Sequence, residues 1–128
     1  MPTETSTAIV RAFGEAMNRK DESFLNAHPG LGASKPFFHQ LWIAFPDVRN
    51  TVETRLTEGE WVAQRMTISA TMQGAFMGMP PTGKHATWEV LNMFRVVDGK
   101  IMEYHAQSDT LGMMKQLGIG PAGAPPSA

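Results

Sequence analysis

The sequence predicts an α+β domain: a curved antiparallel sheet closed on one side by helices around an apolar hollow. Three observations carry this. Apolar residues recur at helical spacing before Pro46 and again in a short segment after Asp109, whereas Val48 to Ser108 is β-prone on both sides of a Gly/Pro-rich connection. Helices followed by hairpin-connected strands mean an antiparallel sheet with the helices gathered on one side. The strands span roughly ten or more residues where five or six are usual, and long antiparallel strands twist and curl.

Thr7 to Asn18 reads as an amphipathic helix, with Ile9, Phe13, Ala16 and Met17 on one stripe and Arg11 and Glu15 on other faces. Asn18-Arg19-Lys20-Asp21 breaks it, and Asp21 is placed to cap a short helical turn through Phe24 and Leu25. His28-Pro29-Gly30-Leu31-Gly32 is a loop by composition. Ser34 then caps a helix with Pro36 in its first turn, where a missing N–H costs little, and Pro46 ends it.

Val48 to Leu56 is the first strand and Thr57-Glu58-Gly59-Glu60 its turn. Trp61 to Met72 is a long second strand with Val62, Met66, Ile68 and Ala70 in one phase. Gly74 to Lys84, rich in Gly and Pro, is a wide connection. His85 to Val97 is the third strand, Asp98-Gly99 a tight turn, and Lys100 to Ser108 the last strand. Thr110 to Leu117 makes a short helix ended by Gly118. One domain over 1–118 is followed by a Gly/Pro/Ala tail over 119–128, expected to be disordered.

At 128 residues the chain is sized for one domain with its own core. It has no cysteine, which excludes disulfides, thiolate nucleophiles and thiolate metal sites. A formal net charge of -1 with no basic run beyond Arg19-Lys20 argues against a nucleic-acid partner. No apolar run approaches the roughly 20 residues of a membrane span, and the polar start carries no signal core, so the expected location is cytoplasmic. His28, His39 and His85 are scattered without ligand spacing, so no metal and no other cofactor is expected. The ten methionines read first as core filling, and secondly as adaptable pocket lining.

Candidate chemistry centres on Glu103-Tyr104-His105-Ala106-Gln107-Ser108-Asp109. Unless a bulge intervenes, Glu103, His105, Gln107 and Asp109 share one face, with His105 and Asp109 roughly 13 Å apart by strand rise. If that face is concave, burial raises the Asp109 carboxyl pKa and makes it a better base near neutral pH. The competing structural roles are a helix cap for Asp109, a half-buried strand histidine for His105 and a sheet-edge amide for Gln107. On the third strand Trp88, Val90, Asn92, Phe94 and Val96 share one phase, and Leu91 and Met93 the other. Trp88 and Asn92 are pocket material, an aromatic wall and an orienting amide, or else ordinary core. Arg65 is placed to pair with Glu89 across the sheet, and Trp42 and Trp61 read as core.

Specific strings then narrow the reading. Ala44-Phe45-Pro46-Asp47 precedes Val52-Glu53 and Glu58-Gly59; Gly74-Ala75-Phe76-Met77-Gly78-Met79-Pro80-Pro81-Thr82-Gly83-Lys84 follows. Next come Phe94-Arg95-Val96-Val97-Asp98-Gly99-Lys100-Ile101-Met102-Glu103, Asp109-Thr110-Leu111-Gly112 and Gln116-Leu117-Gly118. In this order the chain resembles the SnoaL-like ester (polyketide) cyclases of the nuclear transport factor 2-like superfamily, over roughly Thr7 to Gly118.

The resemblance implies a cone-shaped roll and a dimer formed through the sheet. It also implies cofactor-free ring closure of an aromatic polyketide by intramolecular aldol condensation, with Asp109 as general base and acid. The family's histidine before the wide connection is replaced within Ala70-Thr71-Met72-Gln73-Gly74, and none stands near Phe94-Arg95. His105 occupies the place of a tryptophan common in relatives. His105 is therefore the expected second catalytic residue, with Trp88, Asn92, Phe94, Gln107 and Met72 holding a small apolar or aromatic carbonyl ligand. Relatives carry a further helix and short strand where only Ser23 to His28 stands here. An obligate homodimer, with strand or segment exchange, would cover the shortened wall. The alternatives are a non-catalytic binding or dimerisation module, and an isomerase or epoxide-hydrolase-like enzyme on the same scaffold.

Overall fold

A computed structural model describes residues 2–119. The elements are α1 (Pro2–Arg19), α2 (Glu22–Ala27), a 3-10 helix (Pro29–Ser34), α3 (Lys35–Ala44), β1 (Arg49–Glu58), β2 (Trp61–Thr71), β3 (His85–Val97), β4 (Lys100–Ser108) and α4 (Thr110–Leu117). The four strands form one antiparallel sheet in the order β1-β2-β3-β4, so β1 and β4 are its edges. The helices cover its concave face, as the α+β reading expects. Among the described residues no helix is long and apolar enough to cross a membrane.

Several expected boundaries hold: β3, β4 and α4 run as read, and Asp98 and Gly99 take the positive φ of a tight hairpin turn (51° and 76°). Three expectations need correction at the N-terminal side; Ser34, for one, makes no side-chain cap bond at the start of α3. The first helix begins at Pro2, not Thr7, because tertiary bonds hold its polar first turns. Ser6 Oγ donates to Gly59 O at 2.9 Å, Gly59 N–H donates to Thr3 Oγ1 at 3.2 Å, and Thr7 bonds Thr57 at 2.8 Å. The segment read as a loop is a 3-10 helix, anchored by Leu31, which is wholly buried. At the other end Gly118 is the left-handed cap of α4 and Ile119 is buried, so the expected tail does not begin there; 120–128 lie outside the described residues.

The core is two clusters. One, around Phe45, Ile68, Trp88, Met113 and Leu117, lies between α3, α4 and the sheet. The other, around Val10, Phe13, Leu31, Val62, Phe94 and Ile101, lies beneath α1 and the 3-10 helix. Trp42 touches both.

Each edge strand carries one extra residue. On β1, Val52 pairs Met66 and Thr54 pairs Arg65, leaving Glu53 unpaired. On β4, Ile101 pairs Val96 and Glu103 pairs Arg95, leaving Met102 unpaired. A bulge shifts the side-chain phase by one residue. Arg55 therefore joins Asn50 and Val52 in the partly buried inward phase of β1, and Tyr104 follows Ile101 to the concave face of β4. The expectation that the phase of His105 and Gln107 faces the hollow is overturned by this bulge: both side chains are exposed on the outer face.

His28 supports the same bulge. Its ring is buried, 6% exposed, and Nδ1 accepts from the Ile101 N–H at 3.0 Å. Burial, reinforced by the Lys100 charge, lowers its pKa from the ordinary value. The unfolded chain then binds the extra proton, so stability rises with pH through the window below about 6.5 and is lost as pH falls from there. The slope is at most about 1.4 kcal/mol per pH unit for one proton. Urea titrations between pH 7.5 and 5.5 should show this slope in the wild type and a shallower one in His28→Asn.

Candidate active site

A cavity of about 90 Å³ lies between the concave sheet face and the helices, lined mainly by Phe13, Met17, Phe38, Leu41, Trp42, Met66, Ile68, Trp88, Val90 and Tyr104. Its aromatic wall comes from three places in the chain. Phe13 stands against Phe94, Tyr104, Phe38 and Phe24 with ring centroids 4.9–6.2 Å apart. Phe38 and Trp42 are four residues apart on α3, and so on one side of it, with rings stacked at 6.5 Å. Three lining residues, Phe37, Ala106 and Ser108, are exposed and mark the mouth between α3 and the β4 edge.

The polar groups in this wall are few. Asn92 is 2% exposed, and its Oδ1 has no hydrogen-bond partner. Its Nδ2 donates to Met66 Sδ at 3.2 Å. Burial pushes the Tyr104 hydroxyl pKa above its ordinary value, and the Asn92 amide opposes this by hydrogen bonding. Tyr104 is thus a neutral hydroxyl at physiological pH, able to donate. Asn18 and Asn50 also line the cavity, but their amides bond each other at 3.0 Å and serve to hold α1 on β1. None of the lining residues is Asp, Glu, His, Lys or Arg.

The sequence-predicted residues divide accordingly. Trp88 and Asn92 line the cavity. Phe94 is fully buried one layer back, its ring 5.1 Å from Tyr104, and Met72 is core beside Thr82. Gln107 and His105 lie on the outer face, where His105 stacks on Trp61 at 6.5 Å and bonds Glu103 at 3.4 Å. Asp109 is exposed, caps α4 by accepting from the Gly112 N–H at 2.9 Å, and does not line the cavity. The hollow is real, but the two residues expected to do chemistry in it stand outside it.

Trp42, read as core, is cavity wall, and Trp61, also read as core, is a surface ring on the outer face. Arg65 pairs with Glu89 at 2.8 Å as expected. That outer face also exposes Leu56, Leu91, Met93 and Met102, the surface that the expected homodimer would bury. The cavity residue most consequentially missed is Tyr104, the chain's single tyrosine. The available signal was chemical: a lone tyrosine in a strand whose other phase holds Glu103, His105 and Gln107.

Comparisons with known proteins agree with the architecture. Nogalonic acid methyl ester cyclase of Streptomyces nogalater is 32% identical over 94 residues, 70% of this chain and 70% of that protein. Aklanonic acid methyl ester cyclase DnrD of Streptomyces peucetius is 34% identical over 98 residues, 73% of this chain and 68% of the relative. Among solved structures, AclR of Streptomyces galilaeus, a candidate hydroxylase, superposes with a TM-score of 0.83 at 29% identity, covering 91% of this chain and 97% of its own. IdmH of Streptomyces antibioticus, a candidate polyketide cyclase, superposes at 0.76 with 28% identity, covering 89% and 99%. With the model of SnoaL-like polyketide cyclases matching residues 5–117, the chain belongs to that family.

Proposed function

We propose that the chain binds a flat, mostly apolar polyketide carbonyl compound with one ring in the cavity, and promotes ring closure through an enolate. The observation that carries this reading is the buried Tyr104 hydroxyl in a cavity wall that holds no charged side chain. Tyr104 donates to the carbonyl oxygen as negative charge develops there, where exclusion of water makes one hydrogen bond worth most.

Size sets how the ligand sits. An apolar cavity of about 150 Å³ accommodates benzene, and ligand pockets run to several hundred. The 90 Å³ here is smaller than either. Entry therefore displaces side chains at the mouth, Phe37 first, and the rest of the ligand extends past Ala106 and Ser108. Proton removal falls to a group at that mouth. Asp109, next after Ser108, is the carboxylate we assign to it, with its second oxygen free of the cap bond.

The lack of any titratable group other than Tyr104 in the lining favours one competing reading, a binding module without turnover. Turnover of the methyl esters of nogalonic and aklanonic acid, named for the relatives, separates the two. Tyr104→Phe is expected to lower kcat by about 10²-fold with little change in KM, as for loss of one oxyanion donor. Asp109→Asn should lower it by about 10² or more. Wild-type binding without product would leave the binding module. Unchanged kcat in Tyr104→Phe would remove the cavity from the mechanism.

A further inference from the structure

Helix α4 is fastened to the part of β3 that β4 leaves uncovered. β4 pairs with β3 only from Val90 onward. Ahead of that point the Asp109 N–H donates to Glu89 O at 3.0 Å. Near the other end of α4, Gln116 Oε1 accepts from the Thr87 N–H and Gln116 Nε2 donates to Thr87 O, both at 2.8 Å. The side-chain amide takes the place of a strand neighbour on that open edge. Between these two ties Met113, Met114 and Leu117 are buried beneath the helix. α4 therefore cannot tilt off the sheet without breaking bonds at both of its ends.

The first turn of α4 departs from the usual cap. An N-cap residue ordinarily has extended backbone, whereas Asp109 has φ −75° and ψ 70°. Its Oδ1 accepts from the Gly112 N–H at 2.9 Å. Its Oδ2 is folded over the same glycine: a Cβ on Gly112 would lie 2.2 Å from Oδ2 and 2.8 Å from Cγ. Glycine is a poor helix former, and Glu or Gln is the residue favoured three places after a cap. What glycine supplies here is the space in which the carboxylate lies. The atoms nearest to such a Cβ all belong to the Asp109 side chain, which is exposed and can turn, whereas the helix is held. Because Cγ is crowded too, rotation of the carboxylate about its own axis gives no relief, and χ1 must change.

We propose that Gly112 is a positioning residue. The Cβ it lacks leaves a seat that holds the Asp109 carboxylate in one rotamer, with Oδ1 on the helix amide and Oδ2 left to take a proton. This rests on the assignment of proton removal to Asp109. A side chain at 112 drives Oδ2 away by about 1 Å to reach the 3.4 Å of ordinary contact, and a misplacement of that size costs up to about 10²-fold in rate. The same substitution gains helix propensity while it loses a cap bond, so the stability of the fold changes little.

The test is Gly112→Ala in the full chain, alone and combined with Asp109→Asn. Three-bond ¹⁵N–¹³Cγ and ¹³C′–¹³Cγ couplings report the Asp109 χ1 rotamer with no substrate present. They should indicate one rotamer in the wild type and a different or averaged one in Gly112→Ala, at a nearly unchanged urea midpoint. With the methyl esters of nogalonic and aklanonic acid, Gly112→Ala should lower kcat by about 10- to 10²-fold with little change in KM. It should lower kcat no further in the Asp109→Asn background. Couplings that stay at wild-type values, or a fall in kcat that recurs in full on top of Asp109→Asn, overturn the positioning role. Wild-type kcat in Asp109→Asn, or no turnover by the wild type, overturns the base assignment instead, and the catalytic part of this inference with it; the couplings still decide whether Gly112 seats the carboxylate.

Discussion

Phe13→Ala is expected to lower the unfolding free energy by about 3–5 kcal/mol, the cost of truncating a buried aromatic ring. Phe13 is 1% exposed and its ring is in aromatic contact with Phe24, Phe38, Phe94 and Tyr104. Its edge-to-face neighbours each contribute about 0.5–1.5 kcal/mol beyond area burial. A domain of this kind has a total stability of about 5–15 kcal/mol, so the variant should unfold at far lower urea. Tryptophan fluorescence from Trp42 and Trp88 reports it, since both rings line the cavity that Phe13 closes. Phe13→Leu, which keeps most of the volume, should recover more than half of the loss. A loss below about 1 kcal/mol in Phe13→Ala would mean that the aromatic cluster does not hold α1 to the sheet.

Gly30→Ala is the second large effect. A Cβ on Gly30 would lie 2.5 Å from the carbonyl carbon of Met102 and 2.7 Å from the Glu103 nitrogen. These are backbone atoms, and no rotamer change relieves the clash. The expected cost is about 3 kcal/mol, the upper end for overpacking. The effect should also be local in a particular way. Met102 is the bulged residue of β4, and the Ile101 N–H bonded to His28 lies beside it. Pushing the 3-10 helix away exposes that N–H and loosens the bulge, so amide exchange should accelerate first at Ile101 and Glu103. Gly32→Ala is the control: a Cβ there meets nothing within 4 Å, and the change should stay within about 0.5 kcal/mol. Equal stabilities of the two variants would show that the 3-10 helix does not press on β4.

The elements were legible because each has a local cause. Asp21 accepts from the Ser23 N–H at 3.0 Å at the start of α2, as its residue type predicts. The β3 alternation from Ala86 to Val96 matches its burial residue by residue, and so Trp88 and Asn92 were placed correctly in the cavity wall. α1 was read too short because its first turns are held by bonds to the β1–β2 turn, some fifty residues away.

What the sequence by itself determined is the order of the elements, the family and the inward phase of the central strands, since hydrophobic period and turn residues act over neighbouring positions. What only the tertiary structure decided is which side chains of the edge strands enter the hollow. The extra residues at Glu53 and Met102 leave no mark in composition or period. The Met102 bulge exists where the 3-10 helix and His28 press on β4 from distant parts of the chain. One residue of slip exchanges the two faces of a strand. That slip puts Tyr104 and Arg55 inside and His105 outside, and so moves the site from the residues expected to form it to their neighbours.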